Sequence, residues 1–345
     1  MQRNESSGRR GRRLVVLALI CSLAVSGALG ARAFQITEYP LPHPDSTPLI
    51  MACGADHHLW FTEVFANRIG RITQSGRITE YTLPHPDSLP LDIKLGPDGA
   101  LYVTEFRGNR IGRITKDGTI TEFELPHPES TPAFLTVGSD GALWFTEREA
   151  TANRIGRMTL QGAISEFPLP QPGSRPAGIT TGPDGNLWFT ELAGNRIGRM
   201  TPAGQFTEFA LPNPDSSPNT ITVGPDGNVW FVQTDGNRVG RITMAGQITE
   251  FPLPQPGSFP TAIGIGPDGY VWFTELDGNR IGRITPDGTI TEFAVPTADS
   301  GLRGLAVGHD NQLWFAEQFG NKIGRLAVPQ NQHAGNDGKS ERCRR

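Results

Sequence analysis

Along most of the chain, short apolar runs alternate with polar, glycine-rich breaks. In one representative stretch, Ala177–Thr181 is apolar and small, Gly182-Pro183-Asp184-Gly185 interrupts it, and Leu187–Glu191 reads Leu-Trp-Phe-Thr-Glu. Pro presets φ and Gly accepts a positive φ, so the interruption predicts a tight turn between two strands. Gly194-Asn195 predicts a second turn, into a strand over Arg196–Thr201, and Gly204 a third, into Phe206–Leu211. Pro212–Ser216 then leads onward. Pro is excluded from central strands, so its confinement to such connections supports this register. No stretch sustains a 3.6-residue apolar period, so the elements are strands.

The pattern recurs seven times. Asn-Arg-Ile-Gly-Arg or a near variant begins at Asn67, Asn109, Asn153, Asn195, Asn237, Asn279 and Asn321, at spacings of 42 or, once, 44 residues. The Leu-Trp-Phe-Thr-Glu motif and an Ile-Thr-Glu-Phe motif each recur seven times in step with it. Four antiparallel strands per repeat, seven times over, predict an all-β, seven-bladed β-propeller with four-stranded blades. The first repeat is preceded by a lone fourth-type strand, Ile36–Leu41, and the last ends on a third-type strand, Asn321–Leu326. The N-terminal strand is therefore expected to complete the last blade and remove a free edge.

Composition refines this picture. The 345 residues include 42 Gly and 29 Pro, which are turn punctuation rather than low complexity, and 37% are hydrophobic, enough for a large core. Residues 1–33 hold six Arg and one Glu, with an apolar run from Leu14 to Leu29 and Ala31-Arg32-Ala33 after it. That is the pattern of a signal peptide cleaved before Phe34, with Sec or twin-arginine export left open. The expected domains are thus a signal peptide at 1–33, the propeller at 34–329, and a disordered polar tail at 330–345. The product would be exported, periplasmic or secreted. The whole chain is −4, so removing the basic leader leaves −9. This argues against a nucleic-acid partner and against a membrane surface after cleavage. A monomer is expected. Cys21, Cys53 and Cys343 allow at most one disulfide once the leader is gone, and they form no zinc spacing.

Residues that recur in every blade are read as structure. Glu63, Glu105, Glu147, Glu191, Glu275 and Glu317 end the second strands, where a partner in the recurring Asn-Arg is expected. Arg71 and its six equivalents, and Trp60 and its equivalents, are assigned to blade packing. His43, His85 and His127 share one repeat position. On neighbouring blades at a loop radius of roughly 15 Å they would sit about 13 Å apart, too far to share a metal. His57, His58 and His309 fall in turns expected on the opposite face. Function is expected where the symmetry breaks at the channel mouth. The start of the first strand carries Leu49, Leu91, Ala133, Ala177, Asn219, Thr261 and Arg303, four apolar residues followed by three polar ones, with Asp92 and Phe134 beside them. An apolar wall with a few directed polar groups suits a small molecule or peptide-like ligand.

The repeat Gly-Pro-Asp-Gly-x-Leu-Trp-Phe-Thr-Glu…Gly-Asn-Arg-Ile-Gly-Arg-Ile-Thr closely resembles the streptogramin B lyase (virginiamycin B lyase) family, from Phe34 to about Val328. The resemblance implies a seven-bladed propeller that opens the lactone of a cyclic ester antibiotic by Mg²⁺-assisted elimination, a resistance activity. It also implies a His base at the first strand of the last blade, with a second His in the blade before. Here those positions hold Arg303 and Thr261, and a family acidic residue falls at Glu317 or Gln318. Arg is always protonated and cannot act as a base.

Three functions follow as expectations. In a lyase of this family, Arg303, Thr261 and Glu317 would be catalytic and Asn219, Asp92 and Phe134 would bind substrate, with Arg303 on the leaving carboxylate and Asp92 as the remaining base. The alternative is a non-catalytic exported propeller that binds a small anionic ligand or a partner protein at the polar arc. Metal-dependent propeller lactone hydrolysis would need a central set of Glu, Asn and Asp, of which only Asn219 can be placed.

Overall fold

The computed structural model describes residues 34–149 and 151–329, and the leader and tail expectations fall outside them. These residues form seven four-stranded antiparallel sheets and no helix. Blades 1 to 6 run in chain order, from Pro48–Thr82 in blade 1 to Pro260–Ala294 in blade 6. In blade 7 the N-terminal strand Gln35–Pro40 pairs antiparallel with Lys322–Ala327, outside Leu313–Glu317 and Leu302–Val307. The fold and the closure of the ring match the sequence expectation. The inner strands neighbour one another in sequence around the ring, blade 7 meeting blade 1.

The core lies between the blades. One cluster joins Trp60 and Ile69 of blade 1 to Ile93, Leu101 and Val103 of blade 2, and another joins Trp314 and Ile323 of blade 7 to Met51 and Phe61 of blade 1. The second strand of every blade is buried along its whole length, because both of its faces meet a neighbour. Gly70 shows why the third strand needs its glycine. It pairs with Phe61, and a Cβ there would lie 2.1 Å from the ring.

Each recurring Arg has a task. In blade 1 the Asp56 carboxylate accepts the Trp60 indole N–H at 3.1 Å and pairs with Arg71 at 2.7 Å, while the Arg71 guanidinium lies 5.6 Å from the Trp60 ring centroid. The third-strand Arg68 pairs with Glu63 at 3.1 Å and reaches Glu80 of the outer strand at 3.6 Å. His43, His85 and His127 are exposed and separate, as expected, but each bonds an outer-strand glutamate: Glu80, Glu122 and Glu166. Asn213 takes the same role on Glu250, and Thr297 on Glu38.

Blade 7 departs from this scheme. Lys322 stands where Arg68 does and pairs with Glu38 at 2.9 Å; both oxygens of buried Glu317 lack a hydrogen bond, as do those of Glu105 and Glu275 in blades that keep the Arg. Burial, with Glu38 adding repulsion, raises the Glu317 pKa to about 8, and burial chiefly raises Glu105, Glu147 and Glu275 to about 7. The folded state holds these protons more tightly than the unfolded chain. These groups therefore favour folding most below about pH 4.5 and progressively less as pH rises through 7 to 8. Glu317→Gln, which puts in blade 7 the residue blade 5 carries as Gln233, is expected to melt above the native protein at pH 8. The difference should shrink toward pH 5, and thermal melts across that range check it; a pH-independent difference would refute the linkage.

Candidate functional site at the channel mouth

Most inner strands bulge at their second and third residues; in blade 6 only Thr261 is left out of the pairing. In blade 2, Pro90 pairs with Glu105 and Ile93 with Val103, so Leu91 and Asp92 have no partner on the second strand; the same shift occurs at Leu49-Ile50, Ala133-Phe134, Asn219-Thr220 and Arg303-Gly304. A bulge leaves residues outside the ladder and re-aims their side chains. Here it turns them toward the central channel.

The freed backbone groups are satisfied by the Thr of the Leu-Trp-Phe-Thr-Glu motif. The Thr104 hydroxyl accepts from the Asp92 N–H at 2.9 Å and donates to Ala133 C=O of the next blade at 2.7 Å. Thr62 and Thr146 repeat the link, to Leu91 C=O and Ala177 C=O. Blade 5 has Val232 there, and Thr220 supplies the bond to the next blade, donating to Thr261 C=O at 2.8 Å.

These residues frame a cavity of about 100 Å³ lined by six blades: Leu49, Ile50 and Leu91; Phe134 and Arg148; Asn219 and Thr220; Thr261 and Ala262; Arg303 and Gly304. Of the residues singled out from sequence, Phe134, Asn219, Thr261 and Arg303 meet here. Two do not. Asp92 is buried, and its carboxylate accepts the N–H groups of Ile93 and, across the blade boundary, Leu135. Burial raises its pKa, but the group serves the backbone. Glu317 is buried within blade 7, and the next residue, Gln318, faces the site instead, its side-chain oxygen accepting from Arg303 Nε at 2.7 Å. Thr261 donates to Leu302 C=O at 3.1 Å, so its hydrogen is committed to the inter-blade bonding.

Arg148 was not among the sequence candidates. It follows Glu147, where the other blades carry Val64, Phe106, Leu192, Thr234, Leu276 and Gln318, and it precedes the turn that makes its repeat two residues longer. That single charged residue among seven equivalents was the available signal. Beyond the cavity, Phe65 and Phe319 are 70% and 66% exposed in the corresponding turns of blades 1 and 7. At the other end of the inner strands, His57 and His309 meet with ring centroids 4.1 Å apart.

Among the described residues, the cavity lining contains no His and no carboxylate. Mg²⁺ takes oxygen ligands, carboxylates above all. Among the described residues no group of three or more His, Cys, Asp or Glu is placed to hold a metal ion. The residues at the mouth therefore do not fit the Mg²⁺ implied by the family resemblance.

A sequence model of the virginiamycin B lyase family matches residues 23–213 and 179–332. The virginiamycin B lyase of Bacillus licheniformis is 45% identical over 42 residues, a match spanning 12% of this chain and 14% of that protein. A streptogramin B lyase structure is 42% identical over 86% of this chain and 98% of its own, with a TM-score of 0.82. The virginiamycin B lyase of Staphylococcus aureus, solved also as a catalytically inactive His-to-Ala variant with quinupristin, gives the same identity and TM-score over 86% of this chain and 100% of its own. With the family model spanning nearly all of the propeller and these structures sharing its fold, this chain belongs to the virginiamycin B lyase family.

Proposed function

We propose that this chain is an exported family member whose channel mouth binds a small anionic ligand through Arg303 and does not carry out the elimination of its lyase relatives. One observation carries the reading. The mouth is polar on the arc from blade 5 to blade 7, but its polar groups are Asn219, Thr220, Thr261 and Arg303, none of which removes a proton from carbon near neutral pH. The Staphylococcus aureus lyase is catalytically inactive when one His is changed to Ala, and here no His among the described residues lines the mouth. A guanidinium, by contrast, is suited to hold a carboxylate.

Purified protein incubated with a type B streptogramin and Mg²⁺ is expected to leave the mass and ring of the drug unchanged. Conversion to a linear product would overturn the reading. Small carboxylates are expected to raise the melting temperature, and Arg303→Ala to abolish that shift without unfolding the protein. For export, N-terminal sequencing of protein recovered outside the cytoplasm is expected to start at Phe34; retention of residues 1–33 would refute cleavage.

A further inference from the structure

Of the arginines at the recurring third-strand positions, many are paired with a carboxylate, as Arg68, Arg71, Arg113, Arg154 and Arg325 are. Arg148 and Arg303, the two that line the mouth, make no ion pair within 4.0 Å among the described residues, although Glu149 and Asp277 act on them at longer range. Arg303 is held by a neutral group, Gln318. Arg148 has a buried Nε with no hydrogen-bond partner. Both side chains are half-buried, and burying a guanidinium N–H without a partner costs stability. Burial pushes both pKa values below their ordinary range, and Arg175 adds to the effect at Arg148. A buried donor without a partner calls for an explanation, and a ligand that completes the pairing supplies one.

The two arginines sit in blades 3 and 7, three steps apart, the widest separation a seven-membered ring allows. They line one cavity of about 100 Å³, with Leu49, Leu91 and Phe134 as its apolar wall. We infer that the mouth is built for a small dicarboxylate that spans the channel, one carboxylate on Arg303 and the other on Arg148, its carbon chain along the apolar wall. The inference rests on the anion-binding reading above and adds the second anchor and the ligand class. No bond is made or broken.

The test is calorimetric titration of the mature protein at fixed ionic strength with succinate, glutarate and adipate. Butyrate serves as the matched monoacid and inorganic phosphate as a compact anion. The best diacid is expected to bind roughly tenfold or more tightly than butyrate, the increment of one further charged hydrogen-bonded contact. Arg148→Met should bring diacid affinity down to that of butyrate in the same variant. The same variant is expected to raise the melting temperature of the unliganded protein, because it removes a half-buried guanidinium whose Nε lacks a hydrogen bond; a structural arginine would lower it. Arg148→Lys, which keeps the charge, checks that any loss is not misfolding. Equal affinity for diacid and monoacid, phosphate binding as tight as the diacid, or unchanged diacid affinity in Arg148→Met overturns the inference while leaving the anion-binding reading intact. Absence of binding by any anion, with conversion of a streptogramin, overturns both.

Discussion

Every blade of this protein buries both of its faces, and only a closed ring provides a neighbour on each side of all seven. The seven apolar clusters lie between blades, each built half from one blade and half from the next. An open array would expose the Trp face of one terminal blade and the Phe face of the other, several hundred Å² of apolar surface. The ladder between Gln35–Pro40 and Lys322–Ala327 prevents this by tying the two ends of the chain into one sheet. The repeat then follows from the ring. Asp56, Trp60, Arg71 and Gly70 recur because each interface poses the same packing problem.

The same symmetry restricts where chemistry can reside. A bulge in each inner strand takes one or two residues out of the ladder at the channel, and in most blades a threonine on the second strand satisfies the backbone that the bulge releases. This device makes the mouth rigid and leaves its side chains free to vary. Blade 5 shows the limit of that freedom. Where Val232 replaces the threonine, Thr220 takes over the bond to the next blade, so a residue facing the channel is drawn into structural service.

Electrostatics separates framework from site more sharply than position does. Framework arginines meet aspartates or glutamates at close range and lie over tryptophan rings. Framework glutamates are raised in pKa chiefly by burial, with a neighbouring glutamate adding repulsion, as Glu38 does at Glu317. At the mouth the balance is reversed: two guanidiniums, no carboxylate, and an overall acidic chain around them. For the proposed anion site, a local positive charge on a negative molecule would favour a small anion that fits inside over an extended polyanion.

The sequence by itself determined the architecture, because three motifs recurring at a constant interval report strand order, turn positions and the mismatch at the termini that closes the ring. It also separated framework from candidate site, since what recurs in every blade answers a packing demand shared by every blade. What it left undecided was which way the side chains point at the mouth. Asp92 and Phe134 occupy equivalent positions, yet Asp92 turns inward to bond two backbone N–H groups while Phe134 lines the cavity. Glu317 ends its strand and Gln318 begins the turn after it, so a one-residue ambiguity exchanges a buried framework acid for a residue bonded to Arg303. Arg148 reaches the cavity from the first residue after a second strand, a different element from the inner-strand positions that the repeat alignment compares. Those outcomes depend on bulge geometry and on the convergence of blades distant in sequence, and only the tertiary structure decided them.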